Sequence, residues 1–133
     1  MAELQLEILT AERHVLSTKV EYVNLSTVNG TIGILANHIP LLTALNIGVL
    51  EYGELNGKKR RAAIGGGFAE MNNNKLTVFA SSAELAEEID VLRAREAKRR
   101  AEQQLREHKA EWEYTRARVA LEKALARLKA AEK

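Results

Sequence analysis

Glycine and proline are confined to the first half of this chain. All eight glycines and the only proline occur by Gly67, and neither residue type appears again before residue 133. From residue 84 onward the sequence consists mainly of Ala, Glu, Lys, Arg and Leu, which have high helix propensities. A chain that keeps its turn-forming residues in one part is expected to fold in two parts. We predict a β domain at residues 1–83 and a helical domain at residues 84–133, which is a β + α fold class.

The first part shows the pattern of short strands joined by turns. Residues 4–9, LQLEIL, alternate apolar and polar side chains, which is typical of a half-buried strand. Asn56-Gly57 predicts a hairpin with a type I′ turn, and residues 72–74 predict a second hairpin. Several such strands at regular spacing indicate an antiparallel β-sandwich or barrel.

The second part carries two stripes of apolar residues at helical spacing. Each stripe is narrow, as expected where one helix lies along another. The stripes consist of Ala94, Ala97, Ala101 and Leu105, and of Tyr114, Ala117, Leu121, Ala124, Leu128 and Ala131. The polar segment REHKAE at residues 106–111 predicts the turn of an antiparallel two-helix hairpin. Because this segment lacks glycine, we expect a continuous helix from Glu84 to Ala131, about 70 Å long, to lie close to the hairpin in free energy.

Composition and motifs argue against several kinds of function. The net charge of +2 is too small to favour a general polyanion-binding protein, and the absence of cysteine excludes disulfides and cysteine metal sites. The three histidines are scattered, and the sequence shows neither metal-ligand spacing nor a catalytic motif, so we expect no enzyme activity and no metal site. MAELQLEIL lacks a signal-peptide pattern, and no apolar run approaches the roughly 20 residues that span a bilayer.

The basic segment EEIDVLRAREAKRR, residues 87–100, has three interpretations. It can be the solvated face of a structural helix, on which oppositely charged neighbours pair. It can bind nucleic acid, although that function usually needs a larger basic excess and interleaved aromatic residues. It can bind one compact anion, because Asp90, Arg93 and Arg100 share a helix face and Arg127 meets them if the hairpin folds back. The helical pattern alone leaves all three interpretations open.

Three segments occur in an order and spacing that resemble a known family. They are GTIGILANHIPLLTAL, IGGGFAEM and SSAELAEEIDVLRARE. Together they resemble the epsilon subunit of the rotary, proton-translocating ATP synthase, and the likeness covers the whole chain. The family patterns Gly-x-x-Gly-Ile-Leu-x-x-His-x-Pro-Leu and Gly-Gly-Phe-x-Glu are matched by Gly30, Gly33, Ile34, Leu35, His38, Pro40, Leu41, Gly66, Gly67, Phe68 and Glu70. The family usually has Pro-Gly where this chain has Ala36-Asn37.

The resemblance implies a non-catalytic subunit at the foot of the central stalk. Such a subunit holds gamma and touches the c-ring, and it is peripheral at the cytoplasmic face of the bacterial cell membrane, which it meets only through the complex. No nucleic acid is among the partners that the resemblance implies. The residues expected to face gamma or the c-ring are Gly30, Gly33, His38 and Pro40.

The resemblance also implies that the helical pair regulates ATP hydrolysis. Folded on the sandwich, the helices let the motor run; extended along gamma, they reach the alpha and beta subunits of the catalytic head and block hydrolysis. Arg116, Arg118 and Lys123 are the candidate inhibitory contacts, because their positive charges can meet acidic surfaces of the head.

Some bacterial relatives bind ATP in the folded hairpin through the signature Ile-Asp-x-x-Arg-Ala. By this resemblance, the expected ATP-binding residues are Glu84, Ile89, Asp90, Arg93, Ala94, Arg100, Lys123 and Arg127. Lys123 stands where these relatives have arginine, and lysine keeps the charge without the planar guanidinium, so a lower affinity is expected. ATP is expected to act as a regulatory ligand that is not hydrolysed, and Mg²⁺ is not required by the sequence.

Two rival functions use other features of the chain. One is a nucleic-acid-binding adaptor with a basic helical tail, which steep salt dependence of binding to generic DNA would favour. The other is a structural coiled-coil protein with a β cap. Self-association through the stripe at residues 114–131, without nucleotide binding, would favour that function.

Overall fold

The computed structural model describes residues 2–132, so residues 1 and 133, the outer ends of the two predicted domains, lie outside it. Within this range a β part precedes a helical part, and the predicted β + α fold class is confirmed. The strands are β1 (Leu4–Leu9), β2 (His14–Val20), β3 (Tyr22–Thr27), β4 (Gly30–Leu35), β5 (Leu41–Gly53), β6 (Lys59–Asn72), β7 (Lys75–Ala80) and β8 (Ala83–Leu85). A 3-10 turn (Ala86–Glu88) leads to α1 (Val91–Glu107) and α2 (Glu111–Ala131).

The strands form a β-sandwich around one apolar core. Their order is β2-β1-β7-β6-β5-β3-β4, with β8 paired to β6, and only β1 and β7 are parallel neighbours within the described range. The alternation read in β1 is confirmed, since Leu4, Leu6 and Ile8 are almost completely buried. All eight described strands contribute side chains to this core. Each large apolar side chain buried in this way stabilises the fold by about 1.5–3 kcal/mol.

Both predicted hairpins form, and the turn of the second lies within the predicted residues 72–74, but the turn of the first differs from the prediction. Asn73-Asn74 is a two-residue turn with φ values of 52° and 61°, as in a type I′ turn. Asn56-Gly57 lies instead in the five-residue loop Glu54–Lys58 and has no positive φ, so the type I′ prediction there is wrong. The positive φ of that hairpin is at Gly53, where a Cβ would lie 2.3 Å from a backbone oxygen. Glycine is therefore required before the loop rather than within it.

The helical part begins later than its composition indicated. Glu84 lies in β8, which pairs with β6, so the prediction of helix from residue 84 is wrong. The predicted boundary between residues 83 and 84 falls inside this strand. The first α-helix begins at Val91, preceded by Asp90 as N-cap. Pairing with an available sheet edge overrides a helix propensity that amounts to only a few tenths of a kcal/mol per residue.

The helices form the predicted hairpin. The break at residues 108–110 lies within REHKAE, which confirms the predicted turn. Ala94 and Ala101 of α1 and Ala117 and Ala124 of α2 are almost completely buried, so small side chains let the helices approach closely. In the described range, no helix combines the length and apolar character needed to cross a bilayer.

A second face of α2 packs on the sandwich. Ala126 and Ala130 are buried in a cluster with Ala63 of β6, and Ile47 and Val49 of β5 pack against it. We refer to this group as the α2–sheet cluster. Neither Ala126 nor Ala130 belongs to the predicted stripe, because alanine also occurs at solvent-facing helix positions and does not identify a buried face by itself.

Candidate functional site

A narrow crevice separates α2 from the edge formed by β6 and β8. Glu84, Lys123 and Arg127 line it, and Arg127 Nε donates a hydrogen bond to Glu84 Oε1 at 2.5 Å. A Cβ built on Gly65 would lie 2.0 Å from Ser82 Oγ and 3.5 Å from Lys123 Cε, so the missing side chain permits this close approach. The crevice has a volume of about 20 Å³, which is room for a single water molecule.

The Ile-Asp-x-x-Arg-Ala signature spans the start of α1, and several of its residues have structural roles. Asp90 Oδ1 accepts from the backbone N–H of Arg93 at 3.1 Å, which satisfies a free donor at the helix start. Ile89 packs against the α2–sheet cluster, and Ala94 is buried. These contacts position the signature independently of any ligand.

The two other arginines of the predicted site lie on α1. Arg93 and Arg100 are exposed, and neither forms an ion pair within residues 2–132. The same helix carries an exposed pair between Glu96 and Arg99, as the solvated-face interpretation expects. Both guanidiniums therefore remain available to an anion.

The eight residues expected to bind ATP fall into two groups. The crevice holds Glu84, Lys123 and Arg127, whereas Ile89, Asp90, Arg93, Ala94 and Arg100 lie on α1 or just before it. Within the described range no hydrogen bond or ion pair joins the two groups. Folding of the hairpin brings both groups to the helical side of the sandwich.

The three candidate inhibitory residues lie in different environments on α2. Arg116 and Arg118 are exposed, and Arg118 pairs with Glu122 one turn further along the helix. Lys123 is partly buried in the crevice. In this conformation Arg116 is the one of the three that is both exposed and outside the ion pairs of residues 2–132.

The loop between β4 and β5 contains the departure from the family's Pro-Gly. Asn37 has a φ of 64°, and the backbone N–H of His38 donates to Leu35 O at 3.2 Å, closing a turn. Asparagine tolerates this left-handed conformation, so Asn37 takes the position of the usual glycine. The Asn74 side chain fastens the turn: its oxygen accepts from Asn37 N at 2.7 Å and its nitrogen donates to Glu3 O at 2.9 Å.

The four residues expected to face gamma or the c-ring are spread along β4 and the loop that follows it. Gly30 begins this strand with a φ of 107°, and Gly33 lies within it, against the side chain of Asn24. His38 and Pro40 follow its other end, and His38 Nδ1 lies 2.7 Å from Ile39 O. The six residues of β4 span about 17 Å, so these positions do not form one site.

Large exposed apolar side chains flank His38 and Pro40. Leu35, Ile39 and Leu42 are 52%, 74% and 68% exposed. No motif in the sequence marks these three residues as a surface. The one local signal is the run ILANHIPLL, which has apolar residues where a loop is expected. A surface loop with three exposed aliphatic side chains is typical of a contact with another protein.

Sequence comparison and structure comparison relate this chain to the same group of known proteins. Residues 3–86 match the family model described as the beta-sandwich domain of the ATP synthase delta/epsilon chain, and residues 87–132 match its long alpha-helix domain. The ATP synthase epsilon chain of Symbiobacterium thermophilum is 50% identical over 98% of this chain and 94% of its own length. That of Syntrophobacter fumaroxidans is 47% identical over 100% of this chain and 99% of its own length.

Solved structures show the same architecture. A chain in the mitochondrial ATP synthase of Euglena gracilis, from a complex of OSCP, F1 and the c-ring, aligns with a TM-score of 0.82 at 28% identity, covering 98% of this chain and 82% of that one. A chain in the central stalk and c-ring structure from Tetrahymena thermophila shares the fold at a TM-score of 0.65 and 13% identity, with 98% of each chain covered. The protein therefore belongs to the ATP synthase delta/epsilon family and is a non-catalytic stalk subunit of the epsilon type.

Proposed function

We propose that this chain joins gamma to the c-ring in a bacterial ATP synthase and restrains ATP hydrolysis through its helical pair, with ATP keeping that pair folded. The observation that carries the regulatory part is the Glu84–Arg127 pair, because it ties the sandwich to α2 through two residues expected to bind nucleotide. Family membership supports the stalk position. The subunit lies at the cytoplasmic face of the cell membrane, peripherally and through the complex alone.

The sandwich offers two surfaces for the two stalk partners. The loop with His38 and Pro40 carries exposed apolar side chains, and the turn before Gly30 exposes Val28, which is 58% accessible. These surfaces are separated by the length of β4, so one face of the subunit can hold gamma while the other touches the c-ring.

The positive side chains of the helical pair suit a triphosphate. Arg93, Arg100, Lys123 and Arg127 supply four cationic groups, and guanidiniums bind phosphate oxygens through two donors at once. Mg²⁺ is not required to neutralise the phosphates when four such groups are present. The crevice of about 20 Å³ holds no phosphate group, so binding requires Arg127 to leave Glu84 and turn toward the ligand.

Such a ligand favours the folded hairpin because the site exists only there. A ligand shifts a conformational equilibrium only by its difference in affinity for the two forms. In a continuous helix Arg100 and Arg127 would be about 40 Å apart, at 1.5 Å per residue. Each charge-assisted hydrogen bond that is lost costs roughly 1.5–3 kcal/mol, so two or three of them bias the switch by several kcal/mol.

Calorimetric titration of the isolated chain with ATP, ADP and GTP tests the nucleotide site. ATP is expected to bind more tightly than ADP and to raise the melting temperature more, because the γ-phosphate adds charge. Arg93→Ala and Arg127→Ala are each expected to weaken ATP binding at least tenfold, the effect of losing about 1.4 kcal/mol of contact energy. Arg95→Ala is the matched control, since it removes an exposed arginine of α1 outside the expected set.

The contribution of Asp90 to ATP binding has to be measured with a substitution that preserves the helix cap. Asp90→Asn retains a side-chain oxygen for the N–H of Arg93 but removes the negative charge, whereas alanine would remove both. Full ATP affinity in both Arg93→Ala and Arg127→Ala would show that nucleotide binds elsewhere or not at all.

Hydrolysis by the assembled enzyme tests the inhibitory role. A chain ending at Asp90 lacks both helices and is expected to raise ATP hydrolysis, because nothing then reaches the catalytic head. Arg116→Ala combined with Arg118→Ala is expected to give a smaller rise in the same direction. Unchanged hydrolysis with the truncated subunit would remove the helices from regulation.

A further inference from the structure

The turn between β1 and β2 is joined to the segment just before α1. Arg13 donates two parallel hydrogen bonds to the carboxylate of Glu88, at 3.0 Å from each guanidinium nitrogen, and its Nη2 also lies 3.4 Å from Ala83 O. Glu88 Oε1 accepts in addition from the backbone N–H of Leu85 at 3.0 Å. One arginine thereby holds β8 and the 3-10 turn to the sandwich.

Arg13 is itself held by the turn in which it lies. Its backbone N–H donates to Thr10 Oγ1 at 3.2 Å, and its carbonyl accepts from Thr10 N at 2.9 Å. The hydrogen bonds to Glu88 and its negative charge raise the pKa of Arg13. The hydrogen bonds that the Arg13 side chain and the Leu85 backbone N–H donate to Glu88 lower the pKa of that carboxyl group. Both groups therefore favour the charged forms that the pair requires.

Some contacts of β8 and the 3-10 turn involve residues of the helices, and others do not. Glu84 is bound to Arg127 of α2, a contact that is lost whenever α2 leaves the sandwich. The three-residue pairing with β6 and the Arg13–Glu88 pair involve no residue of either helix. A strand of three residues at a sheet edge is weak alone, so the Arg13–Glu88 pair adds to the hold that the pairing with β6 and the burial of Ala83 give to β8.

We propose that the Arg13–Glu88 pair is a clasp that keeps β8 and the 3-10 turn on the sandwich when the helices depart, so that the helical pair pivots at Ile89 and Asp90. The movement itself rests on the proposed function. Ile89 and Asp90 are consecutive residues in extended conformation, with φ and ψ of −76° and 125° and of −84° and 103°. Asp90 caps α1 and travels with it, whereas Glu88 stays with Arg13.

Hydrogen–deuterium exchange of the full chain tests the clasp without any helix movement. Arg13→Ala is expected to speed exchange of the amides of residues 85–89 at least about tenfold, because local opening of this segment becomes easier. Glu88→Gln is a second variant, since its amide oxygen still accepts from Leu85 N while the ion pair is lost. The matched control is Arg99→Ala, which breaks the exposed pair with Glu96 inside α1. Equal exchange of residues 85–89 in all three variants would overturn the clasp.

Spin labels locate the pivot. Because this chain contains no cysteine, it can be labelled at the introduced positions alone before it is assembled with the other subunits. One label at Lys19→Cys on β2 is combined with a second at Glu87→Cys or at Arg95→Cys, all exposed positions. The distance between the two labels is measured by double electron–electron resonance, first in the isolated chain with ATP and then in the assembled enzyme arrested in its inhibited state. The 19–95 distance is expected to change while the 19–87 distance stays the same.

The other outcomes separate the pivot from the proposed function. A change in both distances would show that the chain bends before Glu88 and would overturn the pivot while leaving the regulatory role intact. No change in either distance would contradict release of the helices and would therefore overturn the proposed function together with the pivot.

Discussion

At the residue scale, three asparagines adopt a left-handed backbone conformation that glycine usually supplies. Asn37, Asn73 and Asn74 all have φ between 52° and 64°. Asparagine adopts this region more readily than other residues with a Cβ, and its amide can bond to the nearby backbone. Asn74 does so twice, which couples the β6–β7 turn to the loop between β4 and β5 and to Glu3.

The first prediction concerns Asn37. Asn37→Ala is expected to lower the free energy of unfolding by about 1 kcal/mol, because alanine pays the left-handed penalty without local compensation, whereas Asn37→Gly is expected to be neutral or slightly stabilising. Chemical denaturation of both variants measures the difference. Both retain the backbone N–H that donates to Asn74, so equal stability of the two would contradict a conformational origin.

The second prediction concerns the pH dependence of the clasp. The hydrogen bonds that Glu88 accepts from the Arg13 side chain and from the Leu85 backbone N–H hold the pKa of Glu88 below its ordinary value of 4.5. A carboxylate whose folded pKa is lowered contributes stability above its unfolded pKa and loses it as the pH falls through the folded pKa. The protection of residues 85–89 from exchange is therefore expected to be full above about pH 5 and to fall in more acidic solution.

Glu88→Gln is the control for that titration, because its side chain has no proton to gain. Glu84 is a second acidic group near Arg13, so the double variant with Glu84→Gln separates its contribution. An acid-dependent loss of protection that persists in Glu88→Gln would assign the effect to another group.

At the element scale, α2 has two packing faces made largely of alanine. Ala117 and Ala124 are buried between the helices, and Ala126 and Ala130 are buried against the sandwich. Small side chains let α2 approach both the other helix and the sandwich closely, while each of them buries little apolar area. The sequence stripe identifies the first face, and only the docked structure shows the second.

The third prediction tests the docked face of α2. Ala130→Leu is expected to destabilise the folded chain by about 1–3 kcal/mol, because the larger side chain does not fit against Ala63 and its neighbours. Ala120→Leu, the same change at an exposed position of the same helix, is expected to have little effect. Thermal unfolding of both variants gives the comparison, and equal effects would mean that α2 does not depend on this cluster for docking.

At the scale of the whole molecule, the sandwich extends beyond the point where the composition changes. Ala83 belongs to the main core and Leu85 packs against it, although both follow the last glycine by more than fifteen residues. The matched family regions meet between residues 86 and 87, just after β8. The division of the chain at residues 83 and 84 stays a prediction, and folding of the separate parts can measure it.

The fourth prediction therefore compares two shortened chains. A chain of residues 1–90 is expected to be more stable than one of residues 1–82 by about 2 kcal/mol, because it buries Ala83 and Leu85 against the core. It also keeps the pairing of β8 with β6 and the Arg13–Glu88 clasp. Urea unfolding of both fragments measures the difference. Equal stability would show that β8 depends on the helices rather than on the sandwich.

Local interactions explain what the sequence by itself determined about this protein. Strand alternation, the absence of glycine and proline after Gly67 and the polar break at residues 106–111 act through neighbouring residues, so they predict the sandwich, the helices and the hairpin without knowledge of the fold. The family motifs are local in the same sense. Only the tertiary structure decided that Glu84 is in a strand beside Arg127, that α2 docks through Ala126 and Ala130, and that Arg13 reaches Glu88. These contacts join residues 43 to 75 positions apart, and a helix-forming segment accepts such partners because its intrinsic preference is weaker than the pairing and burial offered by the sheet edge.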